Sequence, residues 1–210
     1  MNVDYPWGVP WLGEIRRALS AHEALVLAAE EKRRAAVALV LRQAGDLPEV
    51  LFIERARREG DPWSGHMAFP GGRVDPGDDS ARSAAERETL EEVGLDLANG
   101  EPLGRLDDMH GHHAAGVPAL VISAFVYHVA DPEPLVLNHE VHDSFWFPVP
   151  SLLDPERQVE YPPGSSSWGP YSGIRVGAPE SQVVWGLTYR FLEILLGISG
   201  FPLPHRLERS

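Results

Sequence analysis

The sequence predicts an α+β protein in which a mixed sheet is layered between helices. Three observations carry that expectation. Short apolar, β-branched or aromatic runs recur at residues 35–41 (AAVALVL), 50–55, 119–129 and 144–149 (SFWFPV). A polar stretch free of Gly and Pro, residues 80–93, lies between them and reads as a helix of three to four turns. A strongly apolar stretch, residues 181–196, follows and reads as a second late helix.

The elements follow in order. Residues 1–11 hold Trp7 and Trp11 among Pro6, Gly8 and Pro10, which predicts an arm lying on the surface or on a partner subunit, as in a homodimer. Residues 12–33 read as helix, in one or two pieces. Residues 35–41 and 50–55 read as a hairpin with Gly45, Asp46 and Pro48 in its turn. Residues 103–109 read as a strand. His110, His112 and His113 follow in a loop. Closely spaced histidines can hold a transition metal, and a glycine-containing loop of this kind can equally be only a loop. Residues 119–129 form the longest predicted strand, and residues 133–142 a loop containing Glu140. After the strand at 144–149, Ser151 starts a short helical turn. Residues 158–180, rich in Pro, Gly and Ser, read as a long loop or irregular hairpin. Its Trp168 and Tyr171 could stack on a nucleobase or pin the loop to the core. Ser181 is the expected cap of the last helix. The resulting organisation is an arm and helix (1–34), one domain (35–200) and a loose tail (201–210).

Composition narrows the function classes. The 210 residues carry a net charge of −13, so broad binding to nucleic-acid polymers is not expected. A small anion can still be held where metal ions and arginines screen the acids. There is no cysteine, which rules out disulfides, thiol catalysis and Cys-based zinc sites and fits a reducing, cytoplasmic setting. No run approaches the ~20 apolar residues of a membrane span, and no signal-peptide pattern opens the chain.

The most informative stretch is GGRVDPGDDSARSAAERETLEEVGL, residues 71–95. Gly71, Gly72, Pro76 and Gly77 impose a loop. Asp78, Asp79 and Ser80 are all good N-caps, and Gly94 suits a left-handed C-terminus. Glu88, Glu91 and Glu92 fall on one helix face at i, i+3 and i+4, a spacing that repels. Such a face either carries a hard cation, Mg²⁺ or Mn²⁺, or is a solvated acidic face with Arg82–Glu86 and Arg87–Glu91 as ion pairs. Upstream, Arg55, Arg57 and Arg58 make either a solvated loop or a clamp for phosphate.

This stretch resembles the signature box of the Nudix hydrolases, with Arg87, Glu88, Glu91, Glu92, Gly94 and Leu95 in register. Two departures are visible. Thr89 stands where an aliphatic residue is usual, and the loop-to-Arg87 spacing is one residue longer, with Asp78 or Asp79 near its middle. Residues 51–72 are similar to the upstream pattern of a Nudix subgroup hydrolysing coenzyme A, through Leu51, Phe52, Arg55, Ala56, Gly65, Phe69, Pro70, Gly71 and Gly72. Ile53 and Gly60 depart from that pattern, and Arg57 or Arg58 could substitute for an arginine expected at position 60. The VWGLT segment at 184–188 is also similar to that subgroup.

The resemblance implies an α/β/α Nudix sandwich and hydrolysis of a small nucleotide diphosphate with Mg²⁺ or Mn²⁺ on Glu88, Glu91 and Glu92. One of Glu91, Glu92 or Glu140 would be the base. Glu140 qualifies because an acid a few residues before an aromatic strand is usual in the family. Arg87 would orient a glutamate, while Gly71 and Gly72 let the loop approach the metal face. Arg55, Arg57, Arg58, Phe69, Gly71 and Gly72 would contact substrate. Coenzyme A or its thioesters are the expected substrates. ADP-ribose, another nucleotide sugar or a dinucleotide is the alternative, and a non-catalytic nucleotide-binding protein a further one.

Overall fold

In the computed structural model of the chain, the structure describes residues 11–28, 33–59, 64–111, 120–161, 171–177 and 182–204. Helix α1 (Trp11–Ala21) leads into the hairpin β1 (Arg34–Ala44) and β2 (Leu47–Arg55). Two short strands follow, β3 (Met67–Ala68) and β4 (Gly71–Arg73), and then helix α2 (Ala81–Val93). Beyond it come β5 (Glu101–Arg105), β6 (Met109–Gly111), β7 (Leu120–His128) and β8 (Val141–Pro148). The chain continues through β9 (Gln158–Tyr161), β10 (Tyr171–Arg175), β11 (Val183–Trp185) and helix α3 (Gly186–Ile198).

The first eight strands form one mixed sheet. Its centre is β1, parallel to β7 and antiparallel to β2. The other edge of β1 is divided. Its C-terminal half pairs with β2, while Ala35, Ala36 and Val37 pair with β4. The strands β1 and β2 therefore diverge, and the Phe69-Pro70 segment enters the gap, with the Pro70 carbonyl accepting from Ala38 N–H at 2.9 Å. That split brings the Gly71-Gly72 backbone beside the middle of the sheet.

Both faces of the sheet are covered, as the apolar runs of β1 and β2 require. On one face α1 and α3 bury Trp11, Ile15, Leu19, Phe191 and Leu195 against Leu39, Leu41, Phe52 and Phe147. On the other, α2 sets Ala84, Ala85 and Val93 on Ala36, Ala38, Val40, Leu51 and Ile53. The small alanines let α2 sit close to the sheet. The expected sandwich of a mixed sheet between helices is thus observed.

Several expectations need correction. Helix α1 stops at Ala21 rather than running to 33. Residues 22–28 are instead outside any helix, because Leu25 N–H and Leu27 N–H donate to the Asp107 and Asp108 carboxylates at 2.8 and 3.0 Å. Tertiary acceptors there win over helix propensity. The 158–180 region takes the hairpin alternative, with β9 and β10 paired antiparallel, and what was not expected is that β11 joins them in a separate three-stranded sheet. Helix α3 accordingly starts at Gly186, since Val183 and Val184 are taken by β11. Pro48 lies in β2 opposite Gln43, leaving Gly45 and Asp46 as the turn. The start of the tail is packed, with Leu203 buried and Phe201 stacked on Trp11 at 3.9 Å. Trp7, Gly60, His112, His113, Trp168, Ser181 and residues 205–210 lie outside the described residues. Among the described residues, no helix is long and apolar enough to cross a membrane.

Candidate active site

Helix α2 is held at both ends by local chemistry. Ser80 is its N-cap and accepts from Ser83 N–H, while the Ser83 side chain accepts from Ser80 N–H. Gly94 closes the helix at φ 71°, donating to Leu90 O at 3.0 Å. Thr89, in the place of an aliphatic residue, is fully buried and donates its hydroxyl to Ala85 O at 2.7 Å, so the departure leaves no unsatisfied group. Beneath the helix, Tyr127 donates to Glu86 at 2.6 Å, and Arg82 bonds both.

The three glutamates are not equivalent. Glu92 is 2% exposed and accepts Gly71 N–H at 2.9 Å. Burial pushes its pKa up to about 7, helped by the charges of Glu88 and Glu140 and opposed by the Gly71 bond and by Arg55. Burial also raises Glu88, against the pull of Arg87, which donates to it at 2.9 Å. Glu91 is more exposed and sits 3.5 Å from Arg87.

Arg87 is the organiser. It donates to Asp78 through Nε at 2.9 Å and Nη2 at 3.1 Å, and to the Arg73 carbonyl at 3.2 Å. The Asp78 bond is the first cause of its own raised pKa and of the lowered pKa of Asp78. The sequence left the middle acid open between Asp78 and Asp79. Arg87 selects Asp78, and the long loop before α2 is thereby tied to the helix that bears the glutamates.

Glu140 comes in from the loop before β8. Its N–H donates to the Asn138 side chain at 2.7 Å, and its carbonyl accepts from Ala56 at 2.7 Å. Arg58 donates to its carboxylate at 3.1 Å. Asn138 N–H in turn bonds Glu92 O at 3.0 Å, so this loop is fastened to α2. The charge of Glu140 acts on both Glu88 and Glu92. The structure thus gathers Arg87, Glu88, Glu91, Glu92, Glu140, Gly71 and Gly72, with Arg55 and Arg58 alongside. The Arg57 side chain runs past Gly65. Phe69, expected at the substrate, is instead in the core, 2% exposed and stacked on Phe52 at 5.5 Å. His110 sits exposed on β6, paired with Val121 of β7.

Among the described residues, no three acidic or histidine side chains converge tightly enough to hold a metal ion as placed. The reason is visible in their bonds: Glu88 is turned to Arg87, Glu92 to Gly71 N–H, and Glu91 to solvent. The residues nevertheless fit a hard divalent cation in kind. All donors are carboxylate oxygens. A Cβ on Gly72 would overlap the Glu88 carboxylate, with Oε2 at 2.8 Å, so only glycine leaves room for the carboxylate against the loop.

Of a second group beside the site, sequence reasoning singled out only Tyr171. Gln182 donates to the buried Glu54 at 3.1 Å, a pairing with no local signal. The Trp185 ring lies 5.0 Å from His66, 5.1 Å from Tyr161 and 5.7 Å from Tyr171. The tryptophan of VWGLT was the available cue.

Comparison with known proteins agrees with this geometry. An uncharacterised protein of Schizosaccharomyces pombe is 41% identical over 117 residues, 54% of this chain and 36% of that protein. The mitochondrial coenzyme A diphosphatase NUDT8 of Homo sapiens is 32% identical over 125 residues, 59% of this chain and 52% of that protein. The uncharacterised Nudix hydrolase NudL of Yersinia pestis is 30% identical over 129 residues, 60% of each. The chain therefore spans between 36% and 60% of the length of these relatives. A MutT/nudix family protein from Enterococcus faecalis has the same fold, with a TM-score of 0.50 over 90% of this chain and 74% of that one at 18% identity. The NUDIX domain model matches residues 31–165, and with that match the chain belongs to the Nudix family.

Proposed function

We propose that the chain is a metal-dependent pyrophosphohydrolase whose substrate is coenzyme A or one of its thioesters. The observation that carries the hydrolase reading is the meeting of the α2 carboxylates with the Gly71 and Gly72 backbone, bordered by Arg55 and Arg58. Glu88, Glu91 and Glu92 would hold Mg²⁺ or Mn²⁺. When bound, such an ion neutralises diphosphate charge and lowers the pKa of an attacking water. Arg87 keeps Glu88 oriented through one nitrogen while anchoring the loop through its others. Water adds to one phosphorus, the bridging P–O bond breaks, and each half leaves with a phosphate. The proton of the water goes to a carboxylate. Glu140 suits that role because it reaches the site from a different element than the ligands, and Arg58 fixes its position.

The coenzyme A assignment is supported by the upstream pattern around Arg55, by VWGLT and by the similarity to NUDT8. It also has a physical basis: coenzyme A carries a 3′-phosphate that an arginine fork grips well. The products would be a 4′-phosphopantetheine and adenosine 3′,5′-bisphosphate. Two measurements test this. Excess chelator is expected to abolish hydrolysis and Mg²⁺ or Mn²⁺ to restore it; full activity in chelator would exclude the metal-dependent reading. Removing the 3′-phosphate, with 3′-dephospho-coenzyme A, is expected to lower kcat/KM roughly tenfold to a hundredfold. Equal values for the two would remove the arginine argument, and faster hydrolysis of ADP-ribose would reassign the substrate.

A further inference from the structure

We infer that Trp185, Tyr161, Tyr171 and His66 form the platform on which the nucleobase of the substrate stacks; this rests on the diphosphate-hydrolase reading above. The rings come from three separate strands and from the residue before β3, yet they meet on one side of the protein. That side can be read from alternation. Val184 is buried under α1 and α3, so its neighbour Trp185 points the other way. Met67 belongs to the same α1/α3 core while Ala68 packs toward α2, which places His66 on the α2 side as well. This is the side that carries Glu88 and Glu92.

Position along the chain agrees. Glu54 pairs with Met67, and the next residue, Arg55, donates its N–H to His66 O at 3.0 Å. The Arg55 charge in turn acts on Glu92. His66 precedes Gly71 by five residues, a separation of no more than about 18 Å even for extended chain. That is comparable with the length of an extended nucleoside diphosphate. Arg57, packed over Gly65, the residue before His66, suits a phosphate on the same nucleotide.

Among the described residues, the platform is left partly open. Gly173 pairs with Trp185 and with Val159, and it has no side chain to cover the indole. A Cβ there would press on Val183 Cγ1 at 2.7 Å. The Tyr161 ring stacks on Trp185 with planes 29° apart, and Tyr171 stays 37% exposed. The aromatic side chains of the core, such as Phe52 and Phe69, are by contrast fully enclosed. The small sheet is also fixed rigidly to the catalytic strands by the buried Gln182–Glu54 bond, and Thr188 donates to Met67 O at 3.4 Å. A rigid, partly open aromatic surface suits a flat purine ring and discriminates little between bases, since every base has a π-face.

The test measures affinity, so it does not depend on turnover. ADP and inorganic pyrophosphate are titrated calorimetrically into the full chain with Mg²⁺. For Trp185→Ala, ADP is expected to bind roughly tenfold to a hundredfold more weakly, with pyrophosphate unchanged and Trp185→Phe recovering most of the loss. Equal weakening of both ligands, or of neither, overturns the platform. If Trp185→Ala does not fold, Tyr171→Ala, at an exposed position, is judged by the same two ligands, with at least a severalfold loss for ADP alone expected. Failure of the hydrolase reading is seen separately, as absence of metal-dependent diphosphate cleavage by the parent chain.

Discussion

Glu92→Gln is expected to lower kcat by roughly 10²–10⁴ while making the metal-free protein more stable at alkaline pH. The second half follows from burial. Glu92 lies 2% exposed with its pKa pushed up from 4.5 to about 7. A carboxyl whose folded pKa is raised stabilises the fold relative to higher pH only while protonated; that contribution is complete below about 4.5 and is lost as pH rises through 7. At pH 8 in chelator the parent therefore holds an ionised, buried carboxylate. At ~1.4 kcal/mol per unit, the shift corresponds to about 3 kcal/mol. Gln removes the charge and keeps an acceptor for Gly71 N–H. The melting temperature of the variant at pH 8 should exceed that of the parent by up to about 10 °C, with the gain fading toward pH 4.5. Parental turnover in the variant would place the site elsewhere. A gain of equal size at both pH values would show that ionisation is not its cause.

The adjacent glycines should fail in opposite ways. Gly71 has φ +149°, and a Cβ there would overlap Ala36 O and lie 2.6 Å from Val37 Cα. Both neighbours are backbone of the central strand and cannot yield. Gly71→Ala is expected to destabilise the fold by about 2–5 kcal/mol. The nearest atoms to a Cβ in Gly72→Ala are all at the end of the Glu88 side chain, which can rotate away. That variant should melt within a few degrees of the parent and yet lose at least tenfold in kcat, because Glu88 is displaced. Thermal melts beside initial rates separate the two. A fully active Gly72→Ala would mean that the position of Glu88 does not matter to the reaction.

What could be read in advance follows from where the determinants lie. Helix α2 was legible because Ser80, Gly94 and the absence of breakers are local, and the sandwich then agrees with them. The strands β1, β2, β7 and β8 were legible from apolar runs that two covered faces demand. The end of α1 at Ala21 was not, because its cause is Asp107 and Asp108, distant in sequence. The β9–β10 pairing was legible only as an irregular hairpin beside a loop alternative, because its strands are short and separated by Pro, Gly and Ser, and β11 was hidden in an apolar run that also suits a helix. Likewise, Phe69 reads as a ligand contact in a motif, and only the divergence of β1 from β2 shows it filling the core. The pairing of Arg87 with Asp78 rather than Asp79 is decided by the shape of the loop, which spacing does not encode.

The parallel pairing of β1 with β7 has a consequence for how the chain assembles. One edge of β1 is completed early, by the hairpin partner β2 and then by β4. The opposite edge waits for residues from Val121 to His128. Closing so long a loop is entropically costly and slow. During synthesis, AAVALVL is therefore an apolar strand with an open hydrogen-bonding edge until β7 has left the ribosome, a typical point for misassociation between nascent chains. Because β4 hangs on the same strand, the glycine loop beside the glutamates gains its final support only at that late step. A substitution in β7, which contributes none of the three glutamates at the candidate metal face, would thus reduce the yield of competent protein more than the activity of each folded molecule.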